Sequence, residues 1–368
     1  MGKRWLHALG VVLLAIPLTA RADAGTPLLW AGMLHLVFGN AIIGVFEGAI
    51  LARVFKLKNS VCILTMIPAN YFSAWFGGFF LNSQISKSLP LNLYTAWHWI
   101  WIMVVFTYLM TLVLEWPFVF FCFRKSPDRL KRSLWGNLLV QSASYILLFG
   151  WYAMASGTTL YTQTHVVAVS DVNFPKQGLL YFINRTNGTV DVLDLSSRQT
   201  QKIAVLGKVD DDERLFMQAS ANSPGHWNIL ETSRRTVICS NLPVETAVYA
   251  TNDYNPNITE IRGTMFNFGN APIIGNAMGS DWRFRTGFWP IEGLHGTNKK
   301  TGESIHLALE TPFAYWIARS ATQLPDDSIV FQLGNDQICL FEPATKKLCL
   351  LARGQGPVVL LPIEKKSP

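Results

Sequence analysis

Long apolar runs dominate the first 157 residues of the chain, and only short runs follow them. Four of the long runs could each cross about 30 Å of hydrocarbon as a helix. They cover residues 28–52, 61–81, 94–123 and 134–156. The pattern therefore predicts a four-helix transmembrane bundle over residues 25–157.

A shorter apolar run lies before these four. A basic start and an apolar stretch at 9–18 precede Ala22-Asp23-Ala24, which fits the small-x-small pattern of a signal-peptide cleavage site. Because the stretch is short for a span, we expect residues 1–24 to be a signal peptide; a retained first helix is the alternative. Export would place the mature N-terminus outside the cytoplasm.

Basic residues are shared unevenly among the connections between the four runs. The first and third connections, with the residues that flank them, carry eight Lys and Arg residues, whereas the second carries only Lys87. The positive-inside rule places the basic connections in the cytoplasm. Four spans then return the chain to the outside. We therefore expect an inner (cytoplasmic) membrane protein, with the lipid bilayer as a partner and residues 158–368 as an extracytoplasmic domain.

Short β-branched and aromatic runs, punctuated by Gly, Asn, Asp and Pro, fill this C-terminal part and predict an all-β domain. Residues 187–194 align with residues 335–342 at an offset of 148, about three periods of a propeller blade. This repeat resembles the TolB/WD40-like β-propeller repeats. The resemblance implies about four or five blades, and a β-sandwich is the alternative.

Each predicted helix carries one stripe of small and polar side chains on an otherwise apolar surface, and such stripes pack inward in a bundle. The only acidic residues within the helices are Glu47 and Glu115, both in the cytoplasmic half of the membrane by the helical rise. The polar cluster that we expect inside the bundle comprises Asn40, Glu47, Asn70, Glu115, Asn137 and Gln141.

Two interpretations of this cluster are open. Two carboxyls close together in a medium of low dielectric would not both carry charge, which favours a proton or cation site. A neutral, hydrogen-bonded core that fixes the bundle is the alternative.

The densest aromatic and arginine cluster of the β domain is a candidate recognition patch, since these residue types are enriched at interfaces. Buried packing within a blade is the alternative. The cluster comprises Trp282, Arg283, Arg285, Phe288 and Trp289.

Cys339 and Cys349 flank one predicted turn. With an odd number of loop residues they would share a face of the hairpin and could form a disulfide; with an even number they would face apart.

Charge and motifs limit the classes of function. The chain has 31 Lys and Arg against 24 Asp and Glu, but residues 158–368 hold 19 basic and 20 acidic residues, so we expect no nucleic-acid partner. The sequence has no metal-type spacing and no nucleotide, cofactor or hydrolase motif, so we expect no metal or cofactor and favour a non-enzymatic role.

These features predict a membrane-anchored binding or scaffolding protein with protein partners at the β domain. The alternatives are a proton- or cation-coupled transport subunit that uses Glu47 and Glu115, and an enzyme whose site leaves no motif.

Overall fold

The structure of the chain is a computed structural model. It describes residues 26–78, 89–173, 178–210, 213–223, 226–232, 234–243, 260–262, 280–287, 293–324 and 326–360. The predicted signal peptide lies outside these residues. The chain divides into two compact units. The first holds the described residues up to Ser156 and the segment Glu310–Ala314, and the second holds Gly157–Leu309 and the described residues from Tyr315 onwards.

Four helices make up the first unit. They are α1 Pro27–Phe55, α2 Asn59–Phe76, α3 Ala96–Cys122 and α4 Arg129–Ala155. Three of the described helices, α1, α3 and α4, are long and apolar enough to cross a membrane, which is compatible with the predicted membrane location. Helix α2 is shorter, at 18 residues, and contains Pro68.

Two glycines let the backbones of α1 and α2 approach closely. A Cβ on Gly44 would lie 2.6 Å from the Cα of Ile67, and a Cβ on Gly48 would lie 2.6 Å from the Cα of Ile63. No side chain fits at such distances, so both positions require glycine. The small residues of the α1 stripe therefore face α2, as in other close helix pairs.

The second unit is mostly β-sheet, as the sequence predicts. It begins with the short helix α5 Thr159–Thr162 and a 3-10 turn at Val169–Asp171. The described strands are β1 His165–Val166, β2 Leu179–Asn184, β3 Thr189–Asp194, β4 Thr200–Val205, β5 Leu215–Ala219, β6 His226–Glu231, β7 Val237–Pro243, β8 Glu260–Arg262, β9 Trp282–Gly287, β10 Gly293–Asn298, β11 Ser304–Leu307, β12 Leu309–Glu310, β13 Tyr315–Trp316, β14 Ala318–Gln323, β15 Ile329–Leu333, β16 Gln337–Glu342, β17 Lys347–Arg353 and β18 Gln355–Leu360.

These strands form antiparallel meanders of neighbours in sequence. The sheet orders are β18-β2-β3-β4, β7-β6-β5-β8, β11-β10-β9, β12-β13 and β1-β17-β16-β15-β14. Strand β1 joins its sheet parallel to β17. Strand β18, near the end of the chain, pairs antiparallel with β2, near the start of the unit. None of the sheets closes into a barrel in the part of the chain that the structure describes.

Both faces of the β2–β3 pair are covered. Phe182 shares one buried cluster with Ile338 of β16, whereas Ile183, on the opposite face of β2, shares another with Met217 of β5. The sheet is therefore sandwiched between two other sheets, which explains why β2 is a nearly continuous apolar run.

Four hairpins share one turn geometry. An acidic or amide residue ends the first strand of each, and the residue four positions later has a positive φ. The pairs are Asp194 with Arg198 (59°), Glu231 with Arg235 (53°), Asn298 with Gly302 (74°) and Glu342 with Lys346 (54°). In each case the first side chain accepts a hydrogen bond from a residue of the turn: from the N–H of Ser196, Arg234 and Lys300, and from the hydroxyl of Thr345. The two segments aligned in the sequence end at two of these four described turns, those of Asp194 and Glu342.

Candidate functional site

The carboxyl of Glu47 on α1 is bound by α2. The amide Nδ2 of Asn70 donates to Glu47 Oε2 at 2.7 Å and to the carbonyl oxygen of Met66 at 3.1 Å, which uses both hydrogens of the amide. Glu47 is fully buried and Asn70 is almost so. This contact ties an acidic group of α1 to α2 in the interior of the helical unit.

The second carboxyl, Glu115 on α3, is held from two sides. Ser73 Oγ of α2 lies 2.5 Å from Glu115 Oε1, and Gln141 Nε2 of α4 donates to Glu115 Oε2 at 2.6 Å. Glu115 has no exposed surface. Asn70 and Ser73 of α2 therefore contact Glu47 of α1 and Glu115 of α3, and Gln141 of α4 contacts Glu115. Together these contacts link all four described helices.

The hydroxyl of Ser73 has two acceptors within reach. Ser73 Oγ donates to Glu115 Oε1 and also lies 3.1 Å from the carbonyl oxygen of Asn70. A serine hydroxyl has one hydrogen, so these two oxygens share it.

The other two predicted members of the cluster bind backbone oxygens. Asn137 Nδ2 of α4 donates to the carbonyl oxygen of Leu112 of α3 at 2.8 Å. Asn40 Nδ2 instead donates to the carbonyl oxygen of Leu36 in its own helix at 3.3 Å. Four of the six predicted residues thus form two side-chain pairs, Glu47 with Asn70 and Glu115 with Gln141, whereas Asn137 and Asn40 donate to main-chain oxygens.

Two buried oxygens of the cluster lack a hydrogen-bond donor among the described residues. They are Glu47 Oε1 and Asn137 Oδ1. A proton on Glu47, or a small cation, would relieve this shortage of donors.

The predicted list of site residues omits the hydroxyl groups. Ser73 lies one turn after Asn70 on the same face of α2, and this spacing of three is the signal that finds it. Further hydroxyl pairs join α3 to α4 at 2.8 and 2.9 Å, and they are Tyr108 with Ser142 and Thr111 with Tyr145.

The aromatic and arginine cluster of the β unit does not form one exposed patch. Trp282 and Phe284 of β9 are buried with their rings stacked, whereas Arg283 and Arg285 between them are exposed. The inclusion of Trp282 in an exposed patch is wrong, because alternate residues of a strand point to opposite faces. Phe288 and Trp289 lie outside the described residues.

Cys339 and Cys349 do not form a disulfide, and both are free and buried. Cys339 pairs with Leu350 and Cys349 with Leu340, so the two thiols lie on opposite faces of the sheet. The loop between Glu342 and Lys347 has four residues, which is the even case. Burial raises the pKa of the Cys349 thiol to about 12, and it also holds the pKa of Cys339 well above its ordinary value.

A small cleft of about 100 Å³ lies beside β6, and Asp210, Glu213 and Glu231 are the acidic residues that line it. Glu213 Oε1 accepts hydrogen bonds from the N–H and hydroxyl of Thr232, and Glu231 Oε1 accepts from the N–H of Arg234. The carboxylates of Glu213 and Glu231 therefore stabilise the turn that follows β6. Among the described residues, no group of three or more His, Cys, Asp and Glu side chains is placed to hold a metal ion.

No protein-family model matches the chain, and no curated protein matches it either. The buried cluster and the repeated hairpins are therefore the features from which a function is inferred.

Proposed function

We propose that the chain is a membrane-anchored extracytoplasmic binding or scaffolding protein of the inner membrane, whose helices hold a β-propeller at the membrane surface. The observation that carries this proposal is the fourfold repeat of one hairpin in the β unit. Propellers commonly present binding surfaces on a rigid ring of repeated sheets, and the absence of a recognisable catalytic motif in the sequence agrees with such a role.

Three features support four blades. The four equivalent hairpins fall in four different sheets. The β2–β3 pair packs against one sheet on each face, as a blade in a ring does. The pairing of β18 with β2 brings the last described strand into the sheet of the first hairpin, which is how a ring of blades is commonly closed.

The anchor in this proposal has four spans, with α2 as the second. The close backbone contact of α2 with α1 at Gly44 and Gly48 supports its place beside a spanning helix. At the basic end of the helices, the guanidinium of Arg132 donates to the carbonyl oxygen of Phe55 at 3.0 Å. The proposal places this end in the cytoplasm, in keeping with the positive-inside rule.

Crosslinking in native membranes tests the binding role. The full chain carries exposed lysines on the β unit at Lys202, Lys299 and Lys300. After treatment with a lysine-reactive crosslinker, mass spectrometry should identify repeated links from these lysines to a second protein. Links confined to this chain, in membranes where it is abundant, would contradict a scaffolding role.

A proton-coupled transport subunit is the second candidate, and it is favoured by the buried Glu47 Oε1, which has no hydrogen-bond donor among the described residues. The test is proton uptake by vesicles that contain the purified full chain and a pH-sensitive dye, under an imposed potassium diffusion potential. Uptake that is abolished in Glu47→Gln and kept in the control Glu303→Gln, on the β unit, would favour transport. Equal rates in protein-containing and empty vesicles would exclude proton uptake by this chain alone.

A further inference from the structure

The two basic connections of the helical unit lie at the same end of it. Arg132, near the start of α4, donates to the carbonyl oxygen of Phe55, the last residue of α1, at 3.0 Å. The ring of Phe55 also meets the ring of Phe123, which follows α3, edge-on with centroids 5.1 Å apart. These contacts bring the segment after α1 beside the segment that joins α3 to α4.

This end of the unit, called the basic end below, consists of residues 53–58 and 124–132 and holds eight Lys and Arg residues. All of them are exposed except Arg132, which is half-buried. Asp128 is the one acidic residue in the two segments. Among the described residues, no carboxylate forms an ion pair with any of the eight. The basic end therefore carries a large and uncompensated excess of positive charge.

Two of these arginines are held against aromatic rings of the last turn of α3. The guanidinium carbon of Arg124 lies 4.1 Å from the ring centroid of Phe121, and that of Arg129 lies 5.1 Å from the ring centroid of Phe120. A guanidinium that stacks on a ring keeps its N–H donors around its edge. Paired donors at the edge of a guanidinium match two oxygens of a phosphate group.

Exposed apolar side chains lie among the cations. Val54, Phe121 and Leu130 are exposed within or directly beside the basic end. Leu134 and Trp135 are exposed one turn further along α4. A nucleic acid or an acidic protein would cover the cations only, whereas a phospholipid also brings acyl chains for the apolar side chains. The combination of charge and apolar surface therefore fits a lipid best.

We propose that the basic end binds the phosphate group of an anionic phospholipid, with Arg124 and Arg129 as the principal donors. The inference rests on the proposed function, because that function places the four helices in a membrane. Clusters of Lys and Arg next to a membrane-spanning helix attract anionic headgroups, and each basic residue adds to the affinity.

Native mass spectrometry of the full chain in detergent micelles tests this proposal. The chain is titrated with phosphatidylglycerol and with phosphatidylcholine of the same acyl chains, and phosphatidylglycerol should bind more tightly. At about fivefold per basic residue, the double variant Arg124→Ala with Arg129→Ala should bind phosphatidylglycerol about 25-fold more weakly. The matched control, Lys202→Ala with Lys208→Ala, removes two exposed charges of the β unit and should bind as the wild type does.

Asp128→Asn tests the same site with the opposite sign. Asp128 is exposed, has a φ of 52° and makes no side-chain hydrogen bond to the start of α4. Asparagine adopts this backbone conformation readily, so the substitution removes a negative charge without a change of structure. Phosphatidylglycerol should then bind about fivefold more tightly, and phosphatidylcholine should bind as before. Damage to the fold would not strengthen binding, so this variant remains informative if the double alanine variant fails to fold.

Four results would overturn the proposal. They are equal affinity for the two lipids, equal weakening in the two double variants, no gain of affinity in Asp128→Asn, and displacement of phosphatidylglycerol by equimolar glycerol 3-phosphate. The last result would indicate a site for a free phosphate, because glycerol 3-phosphate has no acyl chains. Failure of lipid binding with crosslinks to a second protein retained would overturn this inference alone, and the reverse result would overturn the scaffolding role alone.

Discussion

The side-chain amide of Asn70 donates to the carboxyl of Glu47 at 2.7 Å, and both groups lie buried between α1 and α2. Asn70→Leu would keep the shape of the side chain but leave Glu47 Oε2 without its donor. We expect a loss of about 1–3 kcal/mol, the usual range for a buried polar group left unsatisfied.

The double variant Glu47→Leu with Asn70→Leu should be less destabilised than Asn70→Leu alone, because it also removes the carboxyl that Asn70→Leu leaves without its donor. Thermal unfolding of the full chain in nanodiscs measures both. An Asn70→Leu variant with the melting temperature of the wild type would show that water reaches Glu47.

Glu115 should tolerate the loss of its acidic character better than the loss of its oxygens. Glu115→Gln keeps one acceptor, and we expect a change of about 1 kcal/mol or less. Glu115→Leu removes the carboxyl that contacts Ser73 Oγ and Gln141 Nε2, and each lost partner costs about 1–3 kcal/mol. Glu115→Lys should be the most destabilised, because it places an ammonium group in hydrocarbon. Equal accumulation and equal melting temperatures of the Leu and Lys variants would place Glu115 at water or headgroups.

Gly44 should not accept even a methyl group. Its Cβ would lie 2.6 Å from the Cα of Ile67, so Gly44→Ala must push α1 and α2 apart, at about 1–3 kcal/mol. Gly32, on the same helix, has nothing within 4 Å of an added Cβ, and Gly32→Ala is the matched control. That variant should be neutral or slightly stabilised, since alanine favours helix over glycine. Similar melting temperatures for the two variants would mean that α1 and α2 are not in backbone contact.

The helices could be predicted from sequence because the length of an apolar run and the 100° spacing of its polar residues are both fixed by helix geometry. Asn40 shows the limit of that argument. It lies on the predicted inner face, yet its amide reaches back to the carbonyl oxygen of Leu36, a choice that spacing alone does not reveal.

The β unit was less predictable for two physical reasons. The hairpins of Glu231 and Asn298 share their geometry with those of Asp194 and Glu342, but they recur at unequal distances along the chain, so an alignment at a fixed period does not find them. Cys339 and Cys349 share a face of the hairpin only if the loop between their strands has an odd number of residues. The sequence of the turn does not fix that number, which the structure sets by ending the strand pairing at Glu342 and Lys347.

Asp194 should make the β unit sensitive to acid. The hydroxyl of Ser196, followed by the N–H groups of Ser197 and Ser196, donates to this carboxylate and holds its pKa below the ordinary value. Since the folded pKa is the lower one, the stabilisation is present above the unfolded value of about 3.9 and is lost as pH falls through the folded pKa.

Thermal melts of the full chain between about pH 5 and pH 3 measure this effect. Asp194→Asn should lose less stability over this range than the wild type, whereas the control Asp171→Asn should follow the wild type. A wild-type curve that matches that of Asp194→Asn would contradict the role of the Ser196 and Ser197 donors.

Cysteine accessibility on the two sides of the membrane tests the anchored-module account most directly. Ser126, between α3 and α4, and the exposed Ser170, beyond α4, are each replaced by cysteine in a Cys239→Ser background, since Cys239 is the one half-exposed native thiol among the described residues. A membrane-impermeant maleimide should label Ser170→Cys in intact spheroplasts and Ser126→Cys only after the inner membrane is permeabilised. Labelling of both positions from the same side would contradict the account.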